Sequence, residues 1–335
     1  MCEAGLASAQ RPEEKKLGLT ELAKVVHPAA LKLARTLCAD ESVRGEAETA
    51  CVRIAAGLLS SQPEEAKTAL QAIFASSKDE AVRAEARKAD AEIAAGKYRG
   101  PLHGLPYGIK DLFSTKGVPT TWGAADFQDR IIDEDAEIVV RLRDAGAVLV
   151  AKLSTGLFAQ NDQWFRGRTN NPWNLGIGSS GSSAGPSSAT AAGCVSFGIG
   201  TETQGSIVSP AIRCGLNALR PTFGRTTRHG GMVLAWSQDR VGPICRTIED
   251  CAMVFNAYHG VDEKDPSTVM APFRFERSIN LVSLRIGVDP AAPREFVDKL
   301  KALGMKPREV GARPTVPGIG GGGLNVEYAA AFDAY

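Results

Sequence analysis

Histidine is scarce in this chain, four in 335 residues, and its seven cysteines (2, 38, 51, 194, 214, 245 and 251) contain no C-x-x-C pair. Neither a zinc site nor a disulfide framework is indicated, and the cysteines read as reduced, mostly buried thiols. Excess charge is missing too. The formal net charge is +1, so bulk electrostatics offers nothing to a nucleic acid or a membrane surface. Residues 1–16 lack the basic start and apolar core of a signal peptide, and no apolar run approaches membrane-spanning length. The expectation is a soluble, cytoplasmic protein. The shortage of histidine also bears on catalysis, because a serine nucleophile then looks to a lysine as the alternative base.

What is present describes a globular chain. With 44% hydrophobic and 23% charged residues, it can bury one large core or two modest ones. Residues 1–16 are polar and expected to fray. From Leu19 to Gly96 the chain is rich in Ala, Glu, Lys and Leu at helical spacing, which predicts three or four helices, the last running from Ser77 to Gly96. Residues 1–96 are therefore read as an N-terminal helical segment and 97–335 as a second domain.

At Gly100 the texture changes. Turn residues bracket Leu105 to Ile109, a short apolar stretch that predicts a buried strand with Lys110-Asp111 at its end. Two readings of Lys110 stand side by side. It is either a surface lysine paired with Asp111, or an interior one whose pKa falls on desolvation so that it can serve as a base. Further on, Ile138 to Gly146 has helical spacing and Ala147 to Lys152 reads as a strand. That order predicts an α/β layer with a largely buried sheet.

Residues 176–215 hold two Gly/Ser knots, Ser179 to Gly185 and Gly200 to Ser206, around a small-residue stretch and a short apolar run from Cys194 to Ile199. A flexible linker has no need of that apolar run. Two motifs fit the first knot. Gly176-Ile-Gly-Ser-Ser-Gly181, with Glu202 downstream, matches a dinucleotide-binding pattern, and Gly181-Ser-Ser-Ala-Gly185 matches a nucleophile elbow with Ser183 as nucleophile and His229 or His259 as base. Both patterns require a strand running into the glycines, and the polar Asn170 to Asn174 predicts none. The second knot has the better geometry. Val195 to Ile199 reads as a strand, and Gly200-Thr-Glu-Thr-Gln-Gly-Ser206 then turns sharply, so that successive N–H groups can form an anion-binding nest.

Gly108-Ile-Lys-Asp111, Gly181-Ser-Ser-Ala-Gly185, Gly200-Thr-Glu-Thr-Gln-Gly-Ser-Ile207, Cys214 to Arg225 and Asp239-Arg-Val-Gly-Pro243 recur in an order that resembles the amidase signature family. The resemblance covers about 100–252. It implies a large twisted mixed β-sheet covered by helices on both faces, and a serine hydrolase of carboxamide C–N bonds. In the family the first serine of the signature pair stands 24 residues before the nucleophile, which places the pair at Ser182 and Ser206. The resemblance then implies Ser206 as nucleophile, Ser182 as bridging serine on a cis peptide, Lys110 as base, and backbone N–H groups of Thr203, Gln204 and Gly205, with Ser206, as the oxyanion hole. Neither a metal nor an organic cofactor is implied. The expected ligand is a small-molecule amide. A homodimer, or the partner subunits of a glutamine-hydrolysing amidotransferase in which this chain would be the A component, are the partners to consider.

The chain departs from the family pattern at Ser180 and Ala184, where glycine is common, and at Glu202-Thr203-Gln204, where Gln204 would shape the acyl pocket. After Ala252 come a polar linker from Asp262 to Pro272, a strand from Leu284 to Val288, a helix from Arg294 to Leu303, a Pro/Gly-rich stretch from Pro314 to Gly323 and a helix from Asn325 to Tyr335. Family members continue beyond this, so the C-terminal part is expected to be incomplete, and a truncated, inactive relative is the non-enzyme alternative.

Overall fold

The computed structural model describes residues 9, 11–23, 25, 27–40, 42–43, 47, 50–51, 54, 80–276, 278–311 and 322–334. The chain divides into two units, Met1–Ala271 and Pro272–Tyr335.

The first unit opens with helices α1 (Pro12–Leu22), α2 (Pro28–Leu37) and α3 (Glu80–Ala94). Proline at the first helical position of α1 and α2 costs no hydrogen bond there and presets φ. Glu13 and Glu14 add favourable charge to the first turn of α1. Helix α1 therefore begins inside the stretch expected to fray. Its Leu19 and Leu22 join Leu31, Ala34, Cys51 and Ile54 in a buried apolar cluster. Of the helix expected from Ser77 to Gly96, Ser77 lies outside the described residues. Gly96, at φ +73°, adopts the left-handed conformation that closes a helix.

The α/β part follows as β1 (Pro106–Lys110), α4 (Glu137–Asp144), β2 (Val148–Leu153), two short hairpins β3/β4 (Gln163–Trp164, Gly167–Arg168) and β5/β6 (Asn170–Asn171, Asn174–Gly178), then α5 (Ala184–Ala191), β7 (Phe197–Glu202), α6 (Val208–Arg213), β8 (Asn217–Ala218), β9 (Arg240–Cys245) and α7 (Ile248–Tyr258). Five of these strands form one mixed sheet in the order β2-β1-β7-β9-β8. Strand β1 runs parallel to β2 and β7, while β9 is antiparallel to β7 and β8. Tyr107 to Lys110 and Phe197 to Gly200 are buried throughout, as expected for central strands covered by helices. Tyr107 and Phe197 stack across β1 and β7 with ring centroids 5.2 Å apart.

The small residues between the knots form a helix rather than a loop. Helix α5 packs on β1, β2 and β7, at a separation that only small residues permit: a Cβ on Gly185 would lie 2.4 Å from the Ser154 nitrogen, and one on Gly198 2.9 Å from Pro186. This close packing fixes the first knot against the sheet.

Other expectations change as well. A strand, β6, does run into the first knot, but it pairs only with β5 in an exposed hairpin outside the main sheet. The strand expected at 195–199 is shifted to 197–202, so Glu202 ends a strand instead of sitting in the turn. The expected polar linker from Asp262 is folded structure up to the unit boundary. Asp262 and Asp265 are buried, and Asp265 takes a hydrogen bond from the Arg228 Nε at 3.1 Å, so acidic side chains there serve interior donors.

In the second unit the strand expected at 284–288 is reduced to β10 (Gly287–Val288), which pairs in parallel with β11 (Arg308–Glu309) across α8 (Arg294–Ala302). Helix α9 (Gly322–Ala334) begins three residues before the helix expected from Asn325 to Tyr335, and Tyr335 and most of the preceding Pro/Gly-rich stretch lie outside the described residues.

Candidate active site

Strand β1 delivers Lys110 to the interior. The side chain is fully buried, which removes the surface reading of this lysine. Its Nζ donates to Ser182 Oγ at 2.7 Å, to Thr201 Oγ1 at 2.8 Å and to Ser183 Oγ at 3.2 Å. All three partners are hydroxyls. Burial pushes the Lys110 ammonium down to about 7, with Asp239 and Glu202 pulling the other way, because a charged amine in a dry site with no contacting carboxylate is disfavoured. Asp111, the next residue, is bound elsewhere: its carboxylate accepts from the Thr121 N–H and lies 3.3 Å from the Lys152 amine.

The two knots meet at this lysine. The peptide bond between Gly181 and Ser182 is cis, and Gly181 is packed so closely that a Cβ would fall 1.8 Å from the Asn161 carbonyl oxygen. Ser183 Oγ donates to the Thr201 carbonyl at 3.1 Å and accepts from the Thr201 N–H at 3.2 Å. The Ser183 N–H donates to the Ser206 carbonyl at 3.0 Å. Ser206 is half-buried, and its hydroxyl makes no hydrogen bond among the described residues.

Glu202 organises the turn. Its buried carboxylate accepts from the N–H groups of Gly205 and Ile207, and from that of Val208 at 3.1 Å, with the Arg220 Nε at 3.4 Å. Gly205, expected among the oxyanion donors, thus has its N–H engaged by Glu202. The N–H groups of Thr203, Gln204 and Ser206 donate to no protein group among the described residues. The Thr203 hydroxyl donates to Asp239, whose other oxygen accepts from the Leu234 N–H at 2.7 Å. Burial raises the Asp239 carboxyl while these hydrogen bonds lower it.

The competing motif readings lose their geometry. Glu202 is committed to loop amides, so it is not placed as a ribose ligand. Ser183 contacts Lys110 and Thr201 rather than an imidazole, and the His259 ring stacks on Phe255 at 5.3 Å. Among the described residues no three His, Cys, Asp or Glu side chains are grouped to hold a metal, and no helix is long and apolar enough to cross a membrane.

Sequence reasoning did not single out Thr201, Asp239 or the structural part of Glu202. For Glu202 a signal existed, since an acidic side chain just before a glycine turn commonly accepts the turn's free N–H groups. The Thr203–Asp239 contact joins residues 36 apart in sequence, and nothing local announces it.

A mixed α/β sheet carrying a buried lysine among serine and threonine hydroxyls, beside a turn with open N–H groups, defines the class of this protein. A family model described as Amidase matches residues 58–306, most of the chain, and the chain belongs to the amidase signature family. It is 38% identical over 233 residues to the A subunit of glutamyl-tRNA(Gln) amidotransferase from Methylococcus capsulatus, a match covering 63% of this chain and 47% of that protein. It resembles the peptide amidase of Stenotrophomonas maltophilia, with a TM-score of 0.61 and 33% identity over 68% of this chain and 52% of the other. An amidase family protein of Bacillus anthracis shares the fold over 98% of this chain and 68% of its own, with a TM-score of 0.69 at 24% identity. The chain spans about half the length of the curated relatives it matches.

Proposed function

We propose that this chain is a serine hydrolase that cleaves a carboxamide C–N bond through an acyl-enzyme on Ser206, with Ser182 and Lys110 as its proton relay. One observation carries the reading: Lys110 is fully buried, has its pKa lowered to about 7, and points its Nζ at Ser182 Oγ from 2.7 Å. A neutral amine there can accept a proton near neutral pH.

In the proposed reaction the Ser206 Oγ attacks the amide carbonyl carbon while its proton passes to Ser182, whose own proton passes to Lys110. Ser206 must turn toward Ser182 for this, and catalytic hydrogen bonds commonly tighten only in the loaded enzyme. The developing oxyanion is received by the N–H groups of Thr203, Gln204 and Ser206. Lys110 then returns a proton through Ser182 to the leaving nitrogen as the C–N bond breaks, and water, deprotonated by the same relay, cleaves the ester. The experiment is turnover of a panel of small carboxamides by wild type, Ser206→Ala, Ser182→Ala and Lys110→Ala. Loss of activity in the first and severe slowing in the others is expected; near-normal turnover by Ser206→Ala defeats the assignment.

A second reading, the glutamine-hydrolysing A subunit of an amidotransferase, is favoured by the 38% identity to the Methylococcus capsulatus protein. It predicts that activity depends on partner subunits and an ammonia acceptor, whereas a free-standing amidase needs neither to release the acid together with ammonia or an amine.

A further inference from the structure

A cavity of about 360 Å³ lies beside both knots, lined in part by Asp162, Ser180, Gly181, Gln204, Gly205 and Arg213. Gly181 and Gly205 are the chain neighbours of Ser182 and Ser206, so whatever occupies this cavity lies next to the proposed reacting centre. Its lining has almost no apolar side chain. It therefore selects by charge and hydrogen bonding rather than by hydrophobic fit.

Asp162 is the distinctive part of that wall. It is half-buried, and its Oδ2 accepts the Ser180 N–H at 3.1 Å. That is the only hydrogen bond of this carboxylate among the described residues, and none of their cationic groups pairs with it. A carboxylate has about four acceptor sites, so the second oxygen is unspent on protein. The space it occupies is also provided by the fold. A Cβ on Gly178 would collide with Asp162 Oδ2, so glycine there leaves the room that the carboxylate occupies. Arg213 carries the opposite charge in the same lining, but it is exposed and without a partner among the described residues, so water and salt screen it. A half-buried, backbone-anchored anion is the stronger electrostatic feature of the two.

The geometry points to Asp162 as a specificity-determining residue that selects amides carrying a protonated amino group on the part of the substrate lodged in this cavity. The inference rests on the amidase reading for which molecule fills the cavity. A substrate ammonium would give Asp162 the charge-assisted hydrogen bond that it lacks in the free protein, while an anionic group would leave the carboxylate facing like charge.

Binding to the full chain carrying Ser206→Ala tests this without requiring turnover. Calorimetric titration compares 5-aminopentanamide with its neutral isostere hexanamide and with the anionic 5-carbamoylpentanoate. The ammonium amide is expected to bind about tenfold more tightly than hexanamide, and the anion more weakly than either. Adding Asp162→Asn, which keeps an acceptor for the Ser180 N–H, should abolish the preference, and Arg213→Gln should preserve it. Equal affinity for the ammonium and methyl ligands, or a preference that survives Asp162→Asn, would overturn the assignment. Should Asp162→Asn fail to fold, the order of the three ligands on Ser206→Ala and on its Arg213→Gln derivative still decides. A binding preference without any amide turnover by the wild-type chain would count against the amidase reading and leave this one standing; turnover with no preference would do the reverse.

Discussion

The Ser183 amide donates to the Ser206 carbonyl at 3.0 Å, a backbone tie between two segments separated by β7 and α5. Side chains alone would let the two knots drift, but a main-chain hydrogen bond fixes them at peptide length. Ser182, which precedes the donor, and Ser206 itself are thereby kept adjacent while Lys110 reaches up from β1.

The pH dependence of turnover should carry the lysine. Only the neutral amine accepts a proton, so activity should rise with pH through an apparent pKa near the value of about 7 to which burial lowers Lys110. Initial rates across pH 5 to 9 check this, roughly spanning the titration. A flat profile in wild type, or the same limb in Lys110→Ala, would count against the relay.

Glu202 should matter both for stability and for rate. In Glu202→Ala the N–H groups of Gly205, Ile207 and Val208 lose their common acceptor. Each buried donor left unpaired costs about 1–3 kcal/mol. The urea midpoint should fall and kcat should drop as the turn loosens, by less than the roughly hundredfold to thousandfold that losing an oxyanion donor itself costs. A variant with unchanged midpoint and rate would show that the turn holds its shape by other means.

Gly181 should tolerate no side chain. The Gly181→Ala Cβ would sit 1.8 Å from the Asn161 carbonyl oxygen, and the backbone must shift to relieve it. Overpacking of this kind costs about 1–3 kcal/mol, and here it displaces Ser182. Circular dichroism melts and kcat should both fall, whereas Gly311→Ala, at a position with open space and no left-handed backbone, should leave both intact.

The Arg228–Asp265 pair should set acid stability in the first unit. Asp265 accepts from the Arg228 N–H and Nε and from the Ser267 hydroxyl; burial alone would raise its pKa, but these bonds hold it down at about 2. A depressed carboxylate contributes its full stability above its unfolded pKa, roughly 4, and loses it as pH falls toward 2. Asp265→Ala, which leaves the buried Arg228 charge without its carboxylate though still bonded to the Trp236 carbonyl and the Ser267 hydroxyl, should cost about 3–5 kcal/mol at neutral pH and flatten the acid limb of the stability curve. An unchanged acid limb in urea titrations would assign that stability to other groups.

How much of this was legible in the sequence varies with the range of the interactions. Strand β1 and the position of Lys110 at its end follow from a five-residue apolar run between turn residues, and α4 and β2 follow from local periodicity. Which of two readings Lys110 takes is decided by what packs over it, and that depends on α5 and β7 together. The small-residue helix α5 was hidden because serine, glycine and proline signal turns when read locally; the sheet beneath it overrides that preference. Glu202 was legible as an acid beside a glycine turn but not as its organiser. Asp239 and Asp162 act through contacts made only after folding.

The central claim is that Ser206 is an activated nucleophile. Intact-protein mass spectrometry after treatment with a broad serine-reactive fluorophosphonate, on wild type and on Ser206→Ala, tests it most directly. A single adduct on wild type and none on Ser206→Ala is expected. An adduct retained in Ser206→Ala, or none on a wild-type protein that circular dichroism shows to be folded, would contradict the claim.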